Sequence, residues 1–278
     1  RDYYASRGLG DVYKRQMNNW WILIILAVGS YLVGCFNNAI MISKLKKKDI
    51  REVGSGNPGT LNMSRNFGLK VGVLTLFLDM LKGFIPALVG FFVLRGRQLT
   101  TVTFDLGDLG IYLCGFFAVL GHIYPVFYKF KGGKGIATTI GVFLASSVLT
   151  GWEWFVVELM SLTAAVLFIY FTEYGAMGSF IAITPPAVGS SIRLFLKYTM
   201  SAKVVPFYIA ANMLIFGICF ITWFAHRKNI ERMLAGEEHP TSIREMIVKM
   251  KEKKAAKRAA EAQKTQEKTG GNDNGRES

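Results

Sequence analysis

The chain holds only three cysteines, Cys35, Cys114 and Cys219, and each sits inside an apolar stretch with no paired spacing. A disulfide framework and a thiolate zinc site are thereby excluded, and the three read as small hydrophobic filler. No metal-ligating constellation, cofactor fingerprint or nucleic-acid fold is present, so neither a metal nor a cofactor is expected. Internal repeats are lacking too. So is a cleavable leader of the usual kind, because the first apolar block is too long and has no small-residue cleavage site. Acidic residues are few: 19 Asp and Glu stand against 33 Lys and Arg, and the net charge of +14 calls for an explanation.

What the chain has is apolar sequence in blocks. Residues 20–42, 71–94, 111–128, 135–150, 154–170, 175–196 and 204–225 are nearly continuous in hydrophobic side chains, where a soluble core would spread them at period two or 3.6. This predicts an all-α integral membrane protein of about seven transmembrane helices, without a separate soluble catalytic domain. The fourth block is short enough to be tilted or only partly spanning. Residues 1–16 form no amphipathic face and read as a non-native leader, with Met17 as the start. Residues 17–238 form the membrane-embedded domain. Residues 239–278 form a basic tail: Ser242–Lys264 is expected to be a charged helix with an apolar stripe of Ile243, Met246, Ile247 and Met250, and the end beyond it disordered.

Charge sets the expected orientation. Lys44, Lys46, Lys47, Lys48, Arg51 and Arg65 follow the first span, Lys129, Lys131 and Lys134 follow the third, and Arg227, Lys228 and Arg232 follow the last. Seven spans put these three clusters on one side, the cytoplasmic one, with the N-terminus outside and the C-terminus inside. Arg193, Lys197 and Lys203 oppose this weakly, while Arg95 and Arg97 are offset by Asp105 and Asp108.

Two of the basic segments are also rich in glycine. In Gly54-Ser55-Gly56-Asn57-Pro58-Gly59, backbone N–H groups can crowd round an anion, and Ser55 Oγ can join them. Alone this is equally an ordinary tight turn; Asn62 and Arg65 tip it toward anion binding. Gly132-Gly133-Lys134-Gly135 opens a helix through Thr138, so Lys134 and free helical N–H groups aim at one space. The spacing is not that of a Walker A loop, which disfavours nucleotide hydrolysis. A topological anchor would explain Lys129 and Lys131 but not the glycines around Lys134. In a third segment, helical spacing places His226 and Asn229 on one face, one turn apart, although a lone His there is equally an interfacial residue.

Read in order, three blocks carry a resemblance: Gly54-Ser-Gly-Asn-Pro-Gly-x-x-Asn-x-x-Arg65, Gly121-His-x-x-Pro-x-Phe-x-x-Phe-Lys-Gly-Gly-Lys-Gly-Ile-Ala-Thr138, and His226-x-x-Asn-Ile-x-Arg-x-Leu-x-Gly-x-Glu238. They resemble the signature blocks of the bacterial acyl-phosphate:glycerol-3-phosphate acyltransferases, the PlsY family, as does Asp79-Met-Leu-Lys82-Gly83. The likeness runs from Trp20 to Glu238. It implies an inner-membrane enzyme with its site at the cytoplasmic surface, taking acyl phosphate and glycerol 3-phosphate and releasing phosphate and lysophosphatidic acid, the first acylation of phospholipid synthesis.

The resemblance also implies a catalytic set of Ser55, Arg65, Lys134, His226 and Asn229. It implies substrate and phosphate contacts from Gly54, Gly56, Asn57, Gly59, Asn62, Gly132, Gly133, Gly135, Thr138 and Ser179. Arg65 and Lys134 would meet the phosphates, and His226 and Asn229 the glycerol phosphate. The sequence departs from the pattern at Leu61, where the family often has Thr, and at Ala176, where it has a first serine; Ser179 matches the second. The proton acceptor is either His226 or a substrate phosphate. His122 reads as a structural histidine and Asp79 with Lys82 as a pair aligning the second span. Membrane lipid is an expected partner, nucleic acid is not, and the oligomeric state is open. The rival reading is a transporter for phosphorylated metabolites.

Overall fold

A backbone immersed in lipid has no hydrogen-bond partner but itself, so each apolar run closes into a helix. A computed structural model describes residues 20–97, 104–198, 201–238 and scattered tail positions between 241 and 261. The leader before Met17 and the tail stripe of Ile243, Met246, Ile247 and Met250 lie outside the described residues. The helices are α1 (Trp20–Cys35), α2 (Asn38–Leu45), α3 (Thr60–Phe67), α4 (Leu69–Leu94), α5 (Leu106–Ile123), α6 (Ile136–Thr150), α7 (Trp152–Thr172), α8 (Gly175–Lys197), α9 (Val205–Ala225) and α10 (Arg227–Leu234).

Six spans among the described residues are long and apolar enough to cross a membrane, α1 and α2 together making the first. The seventh apolar helix, α6, has 15 residues. At about 1.5 Å per residue it reaches about 22 Å, short of a hydrocarbon core of about 30 Å. The all-helical, membrane-embedded architecture expected from the sequence is therefore what forms, with the fourth block as the short one.

α4 packs on α5 and α6, α1 on α5, α7 on α8, and α9 on α5 and α8. Lipid tails give helices no hydrophobic reason to associate, so small residues that admit a close backbone approach decide the contacts. A methyl group added at Gly141 of α6 would strike the Met80 carbonyl of α4, and one at Gly83 of α4 would strike the Thr138 carbonyl of α6. The outward faces carry Ile25, Phe77, Phe92, Met160, Phe195, Met213 and Phe220, the apolar coat that lipid requires.

The first span is broken at residues 36 and 37. Asn37 caps α2, its side chain accepting from Ile40 N at 3.0 Å, and Lys82 Nζ donates to the freed Phe36 carbonyl at 2.8 Å. Lys82 also pairs with Asp79 at 3.0 Å, which is how two charges survive inside α4.

At the end away from the basic loops, Asp108 is fully buried. Arg193 Nη1 reaches it at 3.0 Å, Lys197 Nζ at 2.7 Å, and the Tyr198 hydroxyl donates to it as well. This network changes the charge reading in two ways. Asp108 offsets Arg193 and Lys197 rather than Arg95 or Arg97, while Asp105 caps α5 by accepting from Gly107 N at 2.9 Å. Two of the three cations that opposed the expected orientation are thus neutralised locally.

Candidate active site

The site is assembled where α2, α5 and α9 end. Beneath the first glycine loop, Ala39, Ile40, Ile50 and Met63 form a small separate core, with Phe67, Val71 and Tyr128 packed against it, so that the loop rests on a rigid base. Gly54 and Gly56 adopt φ of +60° and +68°, a region that favours glycine. Asn62, on α3, shapes this loop from inside. Its amide donates to the carbonyls of Ile50 (3.3 Å) and Val53 (3.0 Å), and its Oδ1 accepts from Ser55 N (3.2 Å) and Asn66 Nδ2 (3.0 Å). The donors that spacing assigned to a ligand are therefore spent on the loop itself. The Ser55 hydroxyl is exposed and takes a long bond from Asn57 N at 3.4 Å, while Gly59 N bonds the Asn57 carbonyl at 2.9 Å. One turn after Asn62, Arg65 lies exposed on α3.

The second glycine loop is bound to the end of α5. Gly132 N donates to Ile123 O at 3.1 Å and Gly133 N to His122 O at 3.2 Å. A Cβ at Gly133 would lie 3.2 Å from the Pro58 carbonyl oxygen, so the two glycine loops touch. Gly135, at φ +87°, turns the chain into α6, whose first-turn N–H groups and positive dipole end face this region. Thr138 is completely buried there, and its Oγ1 has no hydrogen-bond partner among the described residues.

Lys134 joins the second loop to the third segment: its Nζ donates to Asn229 Oδ1 at 2.5 Å. The Asn229 amide donates to Glu238 Oε1 at 2.7 Å, and Arg232 Nε reaches Glu238 Oε2 at 3.4 Å. Burial pulls the Lys134 ammonium down to about 8. Its neighbour His226 is also buried, which lowers its imidazole to about 4. A carbonyl only accepts, so the 2.8 Å contact with Thr222 O puts the proton of neutral His226 on Nδ1 and leaves Nε2 with a lone pair. The Phe180 ring stands edge-on to this imidazole at 5.4 Å.

Of the residues expected from the sequence, Gly54, Ser55, Gly56, Asn57, Gly59, Gly132, Gly133, Lys134, Gly135, His226 and Asn229 are drawn into one connected end of the bundle. Asn62 supports them from beneath. Ser179 Oγ is turned to its own helix, donating to Gly175 O at 2.8 Å. Sequence reasoning assigned no role to Glu238, which fixes the Asn229 amide, nor to the Thr222 carbonyl and Phe180 ring that hold His226. The i, i+4 spacing of Thr222 and His226 was a signal for the first; Phe180 left none.

Cations, loop glycines and a helix start at the mouth of a lipid-exposed bundle define a membrane-embedded protein built to handle phosphate-bearing molecules. Comparison with known proteins narrows the class. The family profile for glycerol-3-phosphate acyltransferases matches residues 24–236. A glycerol-3-phosphate acyltransferase of Finegoldia magna is 37% identical over 221 residues, covering 79% of this chain and 96% of its own. One from Aquifex aeolicus is 36% identical, covering 78% and 97%. Among solved structures, the integral membrane glycerol 3-phosphate acyltransferase PlsY superposes in its glycerol 3-phosphate form with a TM-score of 0.61 at 33% identity, over 81% of this chain and 98% of that one. Its lysophosphatidic acid form gives 0.60 at 32%. The chain belongs to the glycerol-3-phosphate acyltransferase family.

Proposed function

We propose that the protein transfers a fatty acyl chain from acyl phosphate to the sn-1 hydroxyl of glycerol 3-phosphate, at the cytoplasmic face of a bacterial inner membrane. The observation that carries this reading is the meeting of all three signature blocks at one end: Pro58 against Gly133, and Lys134 bonded to Asn229. Both substrates carry phosphate, and Lys134, Arg65 and the N–H groups of the two loops and α6 are the charges and dipoles that would hold it. The cytoplasmic assignment rests on the three basic clusters gathering at this same end.

In the reaction the hydroxyl oxygen attacks the acyl carbonyl carbon, charge collects on the carbonyl oxygen, and the carbon–oxygen bond to phosphate then breaks. The hydroxyl proton leaves with the phosphate. Substrate phosphate is the better acceptor because an imidazole held near 4 is a weak base at neutral pH. His226 serves instead to orient the acceptor: Nε2 takes a hydrogen bond from the neighbouring, non-attacking hydroxyl of glycerol 3-phosphate, with the ring held through Nδ1. Asn229 and Lys134 sit beside it for the acceptor's phosphate.

Purified protein beginning at Met17 is expected to release phosphate from palmitoyl phosphate only when glycerol 3-phosphate is present. Lys134→Ala should lower kcat/KM by about 100-fold or more, the effect of removing one positioned charge-stabilising donor. A folded protein that releases no phosphate would overturn the reading, and glycerol 3-phosphate flux into liposomes would then support the transporter.

A further inference from the structure

A second polar cluster lies buried behind the glycine loops. Asp79, 2% exposed on α4, receives both the Asn38 amide at 2.9 Å and the Lys82 ammonium at 3.0 Å on Oδ1. Facing the same oxygen at 4.0 Å is Nδ1 of His122, 4% exposed at the end of α5, which has no hydrogen-bond partner among the described residues. The other edge of that imidazole abuts the second loop: a methyl group on Gly133 would run into His122 Nε2. The backbone of the same histidine accepts from Gly133 N, and that of Ile123 from Gly132 N.

We propose that Asp79 is a positioning residue for acyl transfer, acting through the imidazole of His122 on the loop that carries Lys134. This rests on the reading of that loop as the phosphate site. The ring fills the space between a fixed carboxylate and the backbone one residue before Lys134, so any displacement of the ring displaces the loop. Nδ1 stands about 1 Å beyond hydrogen-bond reach of Asp79. Hydrogen bonds that serve catalysis are often long in an empty site and tighten with ligand present. Phosphate drawing Gly132–Gly135 inward lets Nδ1–H close on Asp79, and that bond then holds Lys134 in its working place. Alignment of α4 with the broken first span needs only Asp79, Lys82, Asn38 and the Phe36 carbonyl; it gives no reason for an unpaired His122 nitrogen to face the same carboxylate.

The test compares wild type with Asp79→Asn, His122→Gln and the double variant Asp79→Asn/Lys82→Met, which removes the α4 pair together and so leaves no charge stranded. Each is followed by thermal midpoint, by kcat and KM with palmitoyl phosphate, and by hydrogen exchange of residues 130–135 with and without inorganic phosphate. We expect Asp79→Asn and His122→Gln each to lower kcat at least tenfold. The double variant should recover part of the midpoint lost in Asp79→Asn, the rest being lost with the Lys82 bond to the Phe36 carbonyl, without recovering kcat. Phosphate should slow exchange of the loop in wild type and fail to do so in the variants. Recovery of kcat to within twofold of wild type in the double variant would reduce Asp79 to span alignment and overturn the proposal. So would equal protection by phosphate in wild type and Asp79→Asn. The exchange measurement needs no turnover, so it decides the coupling even if wild type proves inactive, an outcome that would defeat the acyltransferase reading instead.

Discussion

A half-buried lysine beside a neutral imidazole is a cation that the medium can remove. Burial places Lys134 near 8, so its charge is present below that pH and lost as pH rises through it. kcat/KM for palmitoyl phosphate should therefore fall above pH 8, by about tenfold per pH unit once the ammonium is the minor form. A bound dianion favours the protonated lysine, so the limb in kcat should lie at higher pH than the limb in kcat/KM. Lys134→Arg, whose guanidinium stays charged, should abolish the limb. His226 titrates near 4 and should add no inflection between pH 5 and 8. Steady-state kinetics across pH 5–10 checks all four statements.

At the scale of elements, the approach of α4 to α6 holds the second loop in reach of the first, because α6 begins where that loop ends. Gly141 meets the Met80 carbonyl there without room for a side chain. Gly141→Leu should push the two helices apart at a cost of about 1–3 kcal/mol, as overpacking does. The expected readout is a lower thermal midpoint together with lost activity; an unchanged midpoint would show that the contact is not tight. The helices themselves were legible, since six of the seven apolar blocks reappear as spans and the fourth as the short α6. α5 begins at Leu106 rather than Ile111 because Asp108, set against Arg95 and Arg97 in the charge reading, enters the bundle paired with Arg193 instead. The break at residues 36 and 37 was hidden because Asn37 and Asn38 sit inside an apolar run, and Lys82, which satisfies it, lies 46 positions away. Likewise, spacing brought Asn62 beside the loop but could not tell whether its amide faces a ligand or the loop's own carbonyls.

Across the whole molecule, charge is divided between two ends with different duties. At one end cations stand beside glycines; at the other, Arg193, Lys197 and Tyr198 converge on Asp108. Asp108→Asn would leave a buried guanidinium without its anion, a loss of about 3–5 kcal/mol. Thermal unfolding in detergent should register it as a marked fall in midpoint, while activity per folded molecule stays near wild type because the site is at the opposite end. The same pair has a consequence for synthesis. Asp108 enters the membrane with α5, but its guanidinium partner follows 85 residues later in the chain. Until α8 arrives that carboxyl has neither of its cations, so the ion pair forms only late in assembly and ties the placing of α5 to that of α8.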